Sequence, residues 1–146
     1  MRFRKATFKD IEKIANIEHN SGYKWGQGRE AELKDAKTAI KIFETYLLEN
    51  KKKTIAYFAL KFKKKICYIG FFAVIRSYQR KGLASKMMRK IINLARVKKC
   101  HMLRLDVWAK NFPAIGLYNK FRFYVVGIKR KYYADGDDKL VMRKNL

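Results

Sequence analysis

The sequence predicts a mixed α/β (α+β) fold in which strand-like and helix-like segments alternate around one parallel strand–helix–strand unit. Three observations lead there. Ile66 to Ile75 is almost continuously apolar, which is how a strand covered on both faces reads. A glycine-containing turn follows, and then Leu83, Met87, Ile91, Leu94 and Ala95 recur at helical spacing. Met102 to Val107 is again strand-like, and two strands joined through a helix must run parallel with a right-handed crossover.

The remaining elements follow in chain order. Met1 to Lys5 reads as a short strand. Thr7-x-x-Asp10 has the form of a capping box, and Ile11, Ile14, Ala15 and Glu18 then space as a helix. Asn20 to Gly28 is glycine-rich and aperiodic, so it reads as a loop. Glu30 to Ile42 is a second helix. Thr45 to Leu48 and Thr54 to Phe62 are rich in β-branched and aromatic residues and read as strands, with turns at Lys51 to Lys53 and Lys63 to Lys65. After Val107, Asn111-Phe112-Pro113 opens a helix, with proline where its missing N–H is harmless. Ala114, Leu117, Tyr118 and Phe121 are its predicted buried stripe. Phe123 to Tyr133 and Lys139 to Arg143 close the chain as strands around an Asp135-Gly136 turn.

At 146 residues and 49% hydrophobic, the chain fits one domain, residues 1–146, with a true core. No apolar run is long enough to span a membrane, and Met1-Arg2-Phe3-Arg4 is not an apolar leader. Cys67 and Cys100 form neither a disulfide framework nor a metal cluster. These features predict a cytoplasmic, metal-free protein with Cys67, Cys100, His19 and His101 outside the chemistry.

The formal charge is +24, which favours polyanionic partners: nucleic acid, ribosome or a phosphorylated cofactor. The distribution is more specific than the total. Between Glu49 and Asp106 every charged residue is basic, and Asp106 is the one carboxylate between Glu49 and Asp135. Asp135, Asp137 and Asp138 then crowd together.

Gln79-Arg80-Lys81-Gly82-Leu83-Ala84-Ser85 joins the apolar strand to the helix. Free N–H groups at a helix start, small residues and two cations suit an anion. The segment is neither a P-loop, lacking Gly-Lys-Ser/Thr, nor a dinucleotide fingerprint, lacking three spaced glycines. By itself it is equally an ordinary helix-start loop.

The stretch Phe72 to Ser85 resembles the central motif of the GNAT acyltransferase superfamily, Gln/Arg-x-x-Gly-x-Gly/Ala, through Gln79, Gly82 and Ala84. Asn111, Ala114, Leu117, Tyr118 and Lys120 are similar to its second motif, Asn-x-x-Ala-x-x-Leu-Tyr-x-Lys. Lys131-Tyr132-Tyr133-Ala134-Asp135-Gly136-Asp137-Asp138 with Val141-Met142 resembles the end of N-terminal protein acetyltransferases, as does Arg76-Ser77. Leu105-Asp106-Val107 is similar to a Leu-Glu-Val strand of the ribosomal-protein alanine type. Arg122 stands where the family usually has Gly, which implies a reshaped corner. Asn20 to Gly28 lacks the proline-containing substrate loop of the eukaryotic branch.

The resemblance implies a GNAT-like, mostly antiparallel sheet of six to seven strands flanked by about four helices. It implies acetyl-CoA (coenzyme A) as donor and an amine as acceptor. The pantetheine arm would run along Phe72, Ala73 and Val74, with the Val74 N–H on the thioester oxygen, and the pyrophosphate would sit on the N–H groups from Arg80 to Ser85. Tyr118 would protonate the leaving thiolate; its other reading is a core aromatic. Asn111 would reach the cofactor arm, cap its helix, or do both. Asp106 would accept the proton of the amine, directly or through water; its other reading is an ion pair with Lys or Arg. Tyr132, Tyr133, Tyr23 and Trp25 are candidates for the acceptor groove, and each is equally a half-buried aromatic.

Positive surroundings lower the pKa of an amine, and an α-amine starts about two units below Lys. This favours a protein or peptide N-terminus as acceptor, at the ribosome or with RNA contact through the basic surface. Lys side chains or a small amine remain the alternative acceptors. An inactive nucleic-acid-binding module is the alternative of another class. The sequence leaves the oligomeric state open.

Overall fold

The computed structural model describes residues 1–22 and 28–146, so the expectations for Tyr23 and Trp25 lie outside the described residues. In chain order the elements are β1 (Arg2–Lys5), α1 (Ile11–Asn20), α2 (Arg29–Ile42), β2 (Glu44–Asn50), β3 (Lys53–Lys63), β4 (Ile66–Val74), α3 (Leu83–Val97), β5 (Met102–Trp108), α4 (Phe112–Lys120), β6 (Tyr124–Lys129) and β7 (Lys139–Asn145). Single 3-10 turns, Phe8–Asp10 and Arg76–Tyr78, precede α1 and follow β4. The strands form a seven-stranded sheet in the order β1-β2-β3-β4-β5-β7-β6. The apolar β4 holds the middle place. Its parallel ladder with β5 runs from Ile66↔Met102 to Ile69↔Leu105. The β1–β2, β2–β3, β5–β7 and β6–β7 ladders are antiparallel.

The chain divides into two compact units. The first comprises Met1–Lys61 and Gly70–Ala84. Here α1 buries Ile14, Ala15 and Ile17, and Ile55 to Leu60 are all buried, as a strand covered on both faces requires. Phe43 packs so tightly against Gly70 that a Cβ there would overlap the ring. Asp10 is 4% exposed and meets the Arg4 guanidinium through both oxygens, at 2.7 and 2.9 Å, while the Thr7 N–H donates to Oδ2 at 2.8 Å. The capping box of the sequence thus forms, one turn ahead of α1.

The second unit comprises Phe62–Ile69 and Ser85–Leu146. Met87, Met88, Ile91, Ile92 and Ala95 of α3 are buried, a broader face than the expected stripe. On α4 only Tyr118 is buried; Ala114, Leu117 and the following Phe121 are half-buried. One expectation is corrected. The strand expected over Phe123 to Tyr133 ends at Lys129, because the Lys131 N–H donates to Asp138 Oδ1 at 2.9 Å instead of to a strand. At the corner after α4, Arg122 adopts the left-handed conformation, φ +66°, that glycine usually supplies after a helix.

Candidate functional site

In the first unit, the β4–α3 turn is shaped by Gln79. Its Nε2 donates to the carbonyls of Ser21 and Val74, each at 2.8 Å, so one side chain fastens the end of β4 and the end of α1. Ala73 and Val74 are buried and Phe72 is half-buried. Beyond Gln79 the backbone turns through two left-handed residues, Arg80 (φ +60°) and Gly82 (φ +81°). Alternating conformations of this kind point successive N–H groups to one side. Among the described residues, no loop or cap carbonyl takes the N–H of Arg80, Lys81 or Gly82. Nothing lies within 4 Å of where a Gly82 Cβ would stand. Arg80 and Lys81 are exposed, and Lys81 Nζ lies 5.4 Å from the centre of the Tyr78 ring. Leu83 and Ala84 begin α3, whose first-turn N–H groups have no intrahelical acceptor. An open backbone nest, a helix N-terminus and two solvated cations form a donor set that fits a pyrophosphate.

In the second unit, Asn111 caps α4, its Oδ1 accepting the Ala114 N–H at 3.3 Å, with Pro113 in the first turn. Tyr118 is 7% exposed, tilted against Phe123 at 5.7 Å between ring centres. Its carbonyl accepts the N–H groups of Phe121 and Phe123, which fixes the helix end. Ser85 Oγ accepts a hydrogen bond from Lys120 Nζ at 3.1 Å.

Asp106, on β5, gathers a cluster. Lys129 Nζ lies 3.0 Å and Lys139 Nζ 3.5 Å from its Oδ2. Lys139 Nζ also stands 4.0 Å over the Tyr132 ring, and Tyr132 meets Tyr133 edge-on at 5.2 Å. Burial, then Tyr132 and Asp106, raise the Tyr133 hydroxyl pKa. The structure therefore brings together three residues that the sequence assigned separately, Asp106, Tyr132 and Tyr133. It also supplies the ion pairs that were the other reading of Asp106.

The tail carboxylates hold their loop. Asp137 Oδ2 accepts the Trp108 indole N–H at 2.8 Å and its Oδ1 meets Lys110 Nζ at 2.9 Å, which lowers its pKa. Asp135 accepts the Asp137 N–H, and Gly136 turns the chain at φ +88°.

Sequence reasoning missed a second group. Glu18 accepts a hydrogen bond from the hydroxyl of fully buried Tyr57, and desolvation raises its carboxyl pKa, helped by Asp35 and Glu32. Glu32 is 2% exposed and lies 3.1 Å from His19 Nδ1. The local pattern gave no signal for the Tyr57 contact, which joins residues far apart in the chain. Glu18 on an otherwise apolar helix face was the one visible clue.

The profile of the acetyltransferase (GNAT) family matches residues 9–123. The chain belongs to that family. It is 40% identical over 81 residues to N-alpha-acetyltransferase daf-31 of Caenorhabditis elegans, covering 54% of this chain and 44% of that one. The chain spans less than half the length of the curated relatives it matches first. Its fold resembles the ribosomal-protein-S18-alanine N-acetyltransferase of Escherichia coli, with TM-score 0.84, 22% identity, and 99% and 92% of the two chains covered. It also resembles a chain of the NatC complex bound to Gag peptide and CoA, with TM-score 0.75, 17% identity, and 100% and 99% covered. At these identities the two structures speak for the fold alone.

Proposed function

We propose that this chain is an acetyl-CoA-dependent N-acetyltransferase whose acceptor is a protein N-terminal α-amine. The observation that carries the reading is the Arg80–Gly82 nest at the start of α3, with open space above Gly82. Arg80 to Ser85 would hold the pyrophosphate, and Phe72, Ala73 and Val74, with Asn111, the arm. Acetyl-CoA, when bound, supplies the activated acetyl group.

The chain's own residues do the rest. The Val74 N–H donates to the acetyl oxygen as negative charge grows on it; removing such a donor costs about a hundred- to a thousandfold. Asp106 takes the proton that the acceptor ammonium loses, directly or through water. Tyr118 would give its phenolic proton to the sulfur as the N–C bond forms and the C–S bond breaks, and would regain one from the acylated nitrogen, so that the two protons lost by the ammonium end on Asp106 and on the thiol. Tyr132 and Tyr133 flank the acceptor, beside Asp106. The α-amine is favoured over Lys because cationic surroundings ease its loss of a proton. The family relatives named N-alpha-acetyltransferases support the same choice. The high positive charge suits a cytoplasmic protein that meets nascent chains at the ribosome and touches RNA there.

The test is release of free thiol from acetyl-CoA with two peptide pools. One has free N-termini and no Lys; the other has blocked N-termini and internal Lys. Release with the first alone is expected, and Tyr118→Phe should lower its kcat by about a hundredfold or more with cofactor affinity kept. Release with the second alone moves the acceptor to Lys. Silence with both, alongside salt-dependent RNA binding, would leave the nucleic-acid-binding reading.

A further inference from the structure

The first unit contains a cavity of about 730 Å³ that none of the residues assigned above to donor or acceptor lines. Its walls come from three elements: Lys13 and Asn16 of α1, Lys52, Lys53 and Thr54 of the β2–β3 hairpin, and Arg76 after β4. Four of the ten residues lining the cavity are cations, Ile17 and Ile75 add an apolar floor, and no carboxylate lines it.

The cations are poorly compensated from within the unit. Lys13 Nζ is 3.8 Å from Asp10, but Arg4 already holds that carboxylate through both oxygens. Lys53 faces the Tyr78 ring at 5.6 Å. Lys52 and Arg76 have no carboxylate partner among the described residues. Like charges gathered on one concave surface repel, and an anion between them removes the repulsion. Arg76 is exposed and borders Gly22. Its guanidinium occupies the space beside Gly22, with Nη2 only 2.6 Å from where a Cβ would stand.

Thr54 gives an independent sign. Its Oγ1 is buried and has no hydrogen-bond partner among the described residues. A buried hydroxyl left unpaired is unfavourable, and because Thr54 borders the cavity a small side-chain rotation would bring Oγ1 to a ligand oxygen. A guanidinium fork, ammonium groups, an amide and a hydroxyl together suit the oxygens of phosphoryl groups.

We propose that this cavity is a binding site for a small polyphosphorylated anion. Its volume falls within the roughly 300–1,000 Å³ of small-molecule sites. The phosphates could belong to the acetyl donor or to a separate phosphorylated metabolite, and the experiment separates the two.

The probe is inorganic tripolyphosphate, titrated calorimetrically into the full chain with and without saturating acetyl-CoA. Saturable one-to-one binding that persists in acetyl-CoA is expected for a separate ligand; binding abolished by acetyl-CoA yet sensitive to the cavity variants assigns the cavity to the donor's own phosphates. Lys52→Gln with Arg76→Gln should weaken binding at least tenfold. Thr54→Val, which changes no charge, should weaken it severalfold. Lys34→Gln with Lys37→Gln on α2 makes the same charge change outside the cavity and should leave binding within twofold. Unchanged melting temperatures certify that the variants fold. Equal losses in the two double variants would reduce the effect to net charge and overturn the proposal. So would binding unmoved by every cavity variant, or tight binding of a short RNA with none of tripolyphosphate. The readout is binding, so failure of acetyl transfer would not be mistaken for failure of this site.

Discussion

Asp10 and Asp106 are both carboxylates facing two cationic groups, yet they sit in opposite circumstances. Asp10 is buried, and its oxygens are taken by a guanidinium fork, with a backbone N–H sharing Oδ2. Asp106 has a side chain 33% exposed, and both its ammonium partners reach the same oxygen, Oδ2. The first carboxylate has no capacity left for a ligand. The second keeps Oδ1 and a solvent-facing side beside two tyrosines. Counting charges would treat them alike; geometry separates a group that holds the fold from one that can meet a substrate.

The largest expected effect breaks that comparison at Asp10. Asp10→Ala should destabilise the protein by about 2 kcal/mol, because it removes the charge-assisted bonds of a buried carboxylate to Arg4 and to the Thr7 N–H, although Arg4 keeps Glu49 as a partner. Activity per folded molecule should not change. The pH dependence has a definite sign. Arg4, ahead of the Thr7 N–H and Lys13, lowers the Asp10 pKa from 3.8 to about 2, while burial works the other way. A lowered folded-state value means stability present above about pH 4 and lost as pH falls toward 2. Acid unfolding of the native protein and of Asp10→Ala should therefore converge as the pH approaches 2. Curves that stay separated down to pH 2 would mean the ion pair is not the source.

Asp106→Asn sharpens the other side. Its stability should match that of the native chain within about 0.5 kcal/mol, as for exposed pairs. Its kcat/KM toward an amine acceptor should fall about tenfold, less than the roughly hundred- to ten-thousandfold usual for a lost acid–base group, because an arriving amine already shares this carboxylate with Lys129 and Lys139. A stability loss with unchanged kcat/KM would make Asp106 a second Asp10, a structural ion pair only.

These contrasts also mark what a sequence can disclose. The central β4 and the parallel β4–α3–β5 unit were readable because hydrophobic patterning and chain connectivity constrain them locally. The Gln79–Ser85 turn and the Asn111 cap were readable for the same reason. The counter-ions of Asp106 were not, since they arrive from β6 and β7 through strand register. Tyr132 and Tyr133 sat in what looked like a continuous strand. The Asp138 side chain, several residues downstream, claims the Lys131 N–H and turns that stretch into a loop. Glu18 looked like an exception on an apolar helix, and its partner Tyr57 lies on β3. Side-chain bonds that redirect the backbone, or cross between elements, leave little trace in local periodicity.

Asn111 lies between the two extremes and provides the smallest effect. Its Oδ1 caps α4 in the structure, and it is also proposed to reach the cofactor arm. Asn111→Ala should cost about 1 kcal/mol of stability through the lost cap. Asn111→Ser restores a side-chain oxygen able to cap, so its stability should return to within a few tenths of a kcal/mol. A serine is shorter and carries no amide, so an interaction with the cofactor arm would not return with it. The two variants together therefore separate the roles. If Asn111 only caps, KM for acetyl-CoA recovers along with stability in Asn111→Ser. If it also binds the arm, stability recovers while KM stays raised severalfold, and Asn111 joins Asp106 among the polar groups with capacity left for a ligand.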